Sequence, residues 1–234
     1  MKLLVSPVDV QEAVEAVKGG ADIVDIKNPA EGSLGASFPW VIRSVLEAVP
    51  AGIETSATLG DLAYKPGTAS LAAYGVASLG VDYIKAGFYG IKSEKQALTL
   101  ARALVRAAES FDAKVVLAGY ADHPLIGAIS PFSLIEVGVH AGAEGVMIDT
   151  ALKHRGGLLA HLSLQELTDF VEKAHSCGLI CALAGSLAAG DLEKIRETGA
   201  DIVGVRGAAC SGGDRERGRI SAERVEFLKQ LVKR

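Results

Sequence analysis

The chain is poor in cysteine, in aromatic residues and in net charge, and each shortage removes a class of function. Its three cysteines, Cys177, Cys181 and Cys210, are too few and too sparsely spaced for a disulfide framework or a metal knuckle, and read as reduced thiols of a cytoplasmic protein. Aromatics make up 5% of the residues and the formal net charge is −4, so neither base-stacking platforms nor a basic field points to a nucleic-acid partner. No apolar run is long enough to span a membrane, and the opening Met1-Lys2-Leu3-Leu4-Val5-Ser6-Pro7 is too short for the apolar core of a signal peptide, so no membrane partner is expected. His140, His154, His161 and His175 share no metal-ligand spacing, and no Gly-x-Gly-x-x-Gly follows the first strand. Neither a metal nor another cofactor is expected.

What is present is a regular alternation. The 234 residues are 49% hydrophobic and 22% charged, enough for one large core, and no charge block, Pro/Ser tract or compositional shift marks a linker. Short apolar strands are expected at 2–5, 21–27, 53–58, 81–85, 113–118, 145–149, 179–184 and 201–205. Helical spacings follow them at 9–18, 39–48, 68–79, 93–110, 130–140, 164–177, 191–198 and 222–233. Strict strand–helix alternation implies a parallel sheet with crossover helices. Eight units imply α/β architecture as a single (β/α)8 TIM barrel over residues 1–234.

The charges fall in register with that barrel. GGADIVDIK, LGVDYIKAG, AGAEGVMIDT and TGADIVGVRG echo one another at strands two, four, six and eight. Inward side chains of alternate strands form one layer of such a barrel, so Lys27, Lys85, Asp149 and Arg206 are expected together near the C-terminal mouth. Asp25 lies two residues before Lys27 and faces the same way. A carboxylate and an amine are thereby placed inside a core, where charge is costly unless it is paired. Lys27 suits a Schiff base or an anion-binding cation, and its amine is nucleophilic only if burial or a second cation, Lys85, lowers its pKa. Asp25 opposes that shift. Lys153, four residues after Asp149, reads from its context as either a loop residue or a further site cation. Asp122-His123 after strand five reads as an acid–base pair or as a structural turn.

Phosphate sites in this fold lie after strands seven and eight, on backbone amides and helical N-termini. The matching stretches are 184–187 and 205–209, which nominate Gly185, Ser186, Arg206 and Gly207. The charged run 214–219 reads as a solvated loop, one of whose arginines is a lesser candidate for a second phosphate.

The segment 25–36, Asp-Ile-Lys-Asn-Pro-Ala-Glu-Gly-Ser-Leu-Gly-Ala, resembles the signature of the (5-formylfuran-3-yl)methyl phosphate synthases of methanofuran biosynthesis. The resemblance extends over essentially the whole chain, including 83–87 and 205–207. It implies a (β/α)8 barrel that condenses two D-glyceraldehyde 3-phosphates into a phosphorylated furan aldehyde, losing phosphate and water. It further implies Lys27 as the Schiff-base lysine and Lys85 as the proton donor and acceptor, with Asp25, Asp149 and Lys153 completing the charged site. Triose phosphates are then the partners, with self-association into a homo-oligomer also expected. The competing readings are a sugar-phosphate aldolase, isomerase or epimerase on the same barrel, and a non-catalytic barrel that binds a phosphorylated metabolite.

Overall fold

Burial on both faces is what makes the strands short and apolar, and it is what the structure shows. A computed structural model describes residues 1–215 and 217–233. Eight parallel strands close in sequence order: β1 (Lys2–Val5), β2 (Ile23–Ile26), β3 (Glu54–Ala63), β4 (Tyr83–Gly90), β5 (Lys114–Tyr120), β6 (Gly145–Asp149), β7 (Ile180–Leu183) and β8 (Ile202–Val205). Closure is made by β1 on β8, with Leu3 opposite Val203 and Val5 opposite Val205. The outer ring is α1 (Val10–Lys18), α2 (Pro39–Ala48), α3 (Pro66–Ala77), α4 (Glu94–Ala108), α5 (His123–Ile126), α6 (Ser133–Ala141), α7 (Leu158–His161), α8 (Leu164–Ser176), α9 (Leu192–Glu197) and α10 (Ala222–Lys233).

Local chemistry starts the long helices where the sequence indicates. Asp9 caps α1 through the Glu12 amide, Ser93 caps α4 through Gln96, and Ser163 with Glu166 forms a reciprocal capping box on α8. The α6 helix begins at Ser133, two residues beyond Pro131, because the first turn after Ser130 is not α-helical.

Three strands run past their expected ends. β3, β4 and β5 continue through Gly60-Asp61, Ala86-Gly87 and Gly119-Tyr120, where glycine suggests a break. The extra pairs Asp61–Gly87 and Ala63–Gly90 form across register shifts, with Gly60 at a φ of 107° absorbing the irregularity. That side of the barrel therefore has a raised wall.

Pleat parity decides which residues enter the barrel. Leu4, Ile23, Tyr83, Val116, Met147, Ala182 and Ile202 pack together as the inner core, apart from the larger core between sheet and helices. Two residues further along β2, β4 and β6 stand Asp25, Lys85 and Asp149. The core thus changes from apolar to charged within one pleat repeat, toward the C-terminal mouth.

Candidate active site

Lys27, Lys85, Asp25 and Asp149 are all buried, at 8%, 3%, 0% and 1% exposure. They do not form a mutual tangle but sort into pairs. Lys85 Nζ lies 2.7 Å from Asp25 Oδ2, and Lys153 Nζ lies 2.5 Å from Asp149 Oδ1. Asp25 is saturated further by Ser6 Oγ, which donates at 2.8 Å, and by Ser56 Oγ. Lys153 also donates to Thr150 Oγ1 at 3.2 Å, so its loop position is not a solvated one.

Lys27 is left over. Three lysines meet two aspartates, and among the described residues no side chain or carbonyl accepts a hydrogen bond from its Nζ. Burial drives its pKa down from 10.5 to about 7. Asp149 and Asp25 pull it up, and the ammoniums of Lys85 and Lys153 push it down. The contest between burial and Asp25 that the sequence leaves open is won by burial, since Asp25 is already engaged by Lys85. Burial also raises the carboxyls, but their ion pairs outweigh it: Asp25 is held below the usual range by Lys85 and Lys27, and Asp149 at about 2 by Lys153 and Lys27. The site thus presents two fixed ion pairs and a titratable amine.

These groups open onto a cavity of about 290 Å3 in the barrel mouth. Its floor carries Lys27, Lys85 and Asp149, and its wall comes from the loops after β7 and β8, including Gly185, Ser186 and Gly207. Gly185 has a φ of 120° and Ser186 a φ of 50°, so this loop turns through left-handed backbone. A 3-10 turn, Gly207–Ala209, starts at the wall, and the first amides of a helical turn have no intrahelical acceptor. Arg206 lines the same cavity, but it is a brace as much as an anion ligand. Its Nη1 donates to Glu12 Oε2 at 2.7 Å and to the Ser6 carbonyl at 2.8 Å, and its Nε donates to the Arg215 carbonyl at 2.7 Å. The inward layer expected from the sequence therefore holds for the two lysines and Asp149, whereas the Arg206 guanidinium turns toward α1.

Of the Asp122-His123 pair, Asp122 takes the structural role. The Asp122 carboxylate accepts the Ala151 and Leu152 amides at 2.8 and 2.7 Å, fixing the loop that carries Lys153. In the run 214–219, Arg215 and Arg217 line separate cavities and Arg219 pairs with Asp9, while Glu216 lies outside the described residues. Sequence reasoning missed Ser6 and Ser56. Parity from Leu4 indicates Ser6, whereas Ser56 meets Asp25 only through the β2–β3 register. It also missed Asp61 and Tyr120, whose contacts join distant strands.

Among the described residues, no three His, Cys, Asp or Glu side chains gather as a metal site, and no helix is long and apolar enough to cross a membrane. Solved barrels share the architecture at low identity. A 3-hexulose-6-phosphate synthase from Salmonella typhimurium superposes with a TM-score of 0.71 at 17% identity, covering 100% of this chain and 99% of that one. Another 3-hexulose-6-phosphate synthase gives 0.70 at 19%, covering 99% and 100%. Sequence relatives are much nearer. The (5-formylfuran-3-yl)methyl phosphate synthase of Methanocaldococcus jannaschii is 52% identical, with both chains covered in full. That of Methanopyrus kandleri is 53% identical over 99% of this chain and 98% of its own. The family model described as 4-HFC-P synthase matches residues 3–229, and with a buried lysine–aspartate site at its barrel mouth this chain belongs to that family of synthase enzymes.

Proposed function

We propose that the enzyme condenses two molecules of D-glyceraldehyde 3-phosphate into (5-formylfuran-3-yl)methyl phosphate through an imine at Lys27, in the biosynthesis of a methanofuran-type cofactor. The observation that carries this reading is the unpaired amine of Lys27, lowered to about 7 beside two complete ion pairs. A neutral, buried amine is what carbonyl addition requires. The family names support the product, and the cationic mouth suits a doubly anionic substrate.

The connectivity of the product constrains the steps. Its formyl carbon and two ring carbons come from one triose, and its phosphomethyl arm and the other two ring carbons from the second. Lys27 adds to the aldehyde of the first triose and water leaves, giving an iminium. Loss of the C2 proton gives an enamine, which expels phosphate from C3. The enediolate of the second triose attacks that C3 through its own C2. Hydrolysis frees the formyl group and Lys27, and ring closure completes the furan. Overall, two trioses yield one furan, one phosphate and two waters, which balances.

In this reading Lys85, held by Asp25, moves the proton at C2 and protonates the departing phosphate. Lys153, oriented by Asp149, adds positive charge where anionic groups gather. The loops bearing Gly185, Ser186, Arg206 and Gly207 take the phosphate that is retained. The three free cysteines suit a reducing, cytoplasmic setting.

Borohydride trapping with D-glyceraldehyde 3-phosphate, followed by peptide mass spectrometry, tests the imine, and ultraviolet detection of furan in an untreated sample tests the product. A triose adduct on Lys27 together with furan is the expected result. An adduct without furan assigns the barrel to aldolase or isomerase chemistry, and neither adduct nor furan overturns the catalytic reading.

A further inference from the structure

The cavity occupies only half of the mouth. Apart from Lys27 and Lys85 its lining comes from β1, β6, β7, β8 and the segments that follow them, and no residue of β3, β5 or the outer end of β4 contributes. The other half is filled by the loop that follows Lys27. Ser33 Oγ donates to the Thr150 carbonyl at 2.7 Å, joining the loops of β2 and β6, which stand opposite each other in the ring. The Ser33 and Leu34 amides donate to the two oxygens of Asp61 on β3, at 2.8 and 3.3 Å, and the Tyr120 hydroxyl donates to the same carboxylate from β5. Thr58 Oγ1 holds the Gly35 carbonyl at 2.8 Å. Burial, with Asp61 beside it, keeps Tyr120 protonated and hence a donor.

This anchoring drives one side chain downward. Leu34 is fully buried and packs with Tyr120 and Ala118 in the inner core of the barrel. It also abuts the row that carries the site. A Cβ at Gly87, two residues after Lys85 on the same face, would lie 3.0 Å from Leu34 Cδ1 and 2.0 Å from the Tyr120 hydroxyl. Leu34, Asp61 and Tyr120 together occupy the space beside Gly87.

We propose that Leu34, held by the Asp61–Tyr120 clasp, is a specificity-determining plug that limits the aldehyde bound at Lys27 to three carbons. The inference rests on the imine reading for its substrate class and adds the determinant of chain length. Shortening Leu34 is expected to open space beside Gly87, two residues beyond Lys85 on β4, for a fourth carbon.

The test compares wild type with Leu34→Ala, trapping imines from D-glyceraldehyde 3-phosphate and D-erythrose 4-phosphate with borohydride and weighing the Lys27 peptide. Wild type is expected to favour the triose at least tenfold, and Leu34→Ala to lose most of that preference. Leu34→Val, a milder change, is expected to fall between them and serves if the alanine variant does not fold. An unchanged preference in a folded variant overturns the proposal. If wild type traps no imine at all, the Schiff-base reading fails separately. Calorimetry with glycerol 3-phosphate and erythritol 4-phosphate then still decides the plug: selective gain for the longer alcohol in the variants supports it, and equal affinities reject it.

Discussion

At the residue scale the governing quantity is the free energy of putting charge on Lys27. With its pKa at about 7, imine formation should rise with pH through that value and level off above it, where the amine is neutral. Asp149→Asn removes an attraction that raises the pKa and leaves the Lys153 cation uncompensated, so the rising limb should move about one unit toward acid. Stopped-flow trapping across pH 5–9 checks both. The same depressed pKa has a thermodynamic side. An unfolded lysine keeps its proton up to about 10.4, so below pH 7 folding pays the full penalty, which fades as pH rises from 7 toward 10. Lys27→Met should therefore raise the melting temperature by several degrees at pH 7, with the gain shrinking toward pH 10. A gain that is constant with pH would contradict the shift.

At the scale of elements, Glu12 on α1 and Arg206 after β8 form a buried ion pair that ties the first helix to the last strand. Removing one partner strands the other charge, so Glu12→Ala should cost about 3 kcal/mol in urea unfolding, far more than an exposed pair such as Lys18–Glu15. This scale also shows where sequence reading stops. The eight strand–helix repeats were legible because burial on both faces imposes unbroken apolar runs, and the inward lysines because the pleat has period two. The extension of β3 was not, because Gly60-Asp61 has the local chemistry of a turn and becomes strand only through pairing with β4. Arg206 was placed correctly but not aimed correctly, since its partner Glu12 is 194 residues away. Asp61 carries no periodic or motif signal at all. Its role exists only once the Ser33 loop and Tyr120 are folded around it.

For the whole molecule, the outer ring is not uniform. The α3 helix has no charged residue, and while Ala69, Ala73 and Ala77 face the barrel, Leu71 is 76% and Tyr74 53% exposed. The outward faces of α4 and α8 instead carry Lys95, Arg102, Gln165 and Lys173. A helix apolar on both sides is partnered on both sides, and we expect a second copy of the chain to cover this one. Light scattering should give at least twice the protomer mass, and Leu71→Lys should return it to the protomer value; a monomeric wild type would reject this assembly.

The solitary state of Lys27 also makes the protein chemically addressable. Amine reagents ignore ammonium, and the surface lysines paired with glutamates, such as Lys2 and Lys114, have raised pKa values. A small aldehyde bearing an anionic tail, offered near neutral pH with cyanoborohydride to reduce the imine, would be drawn by the cationic mouth to Lys27 while those lysines stay masked by their protons. A reporter attached that way would sit on the floor of the mouth cavity, turning the enzyme's nucleophile into a labelling point without a mutation.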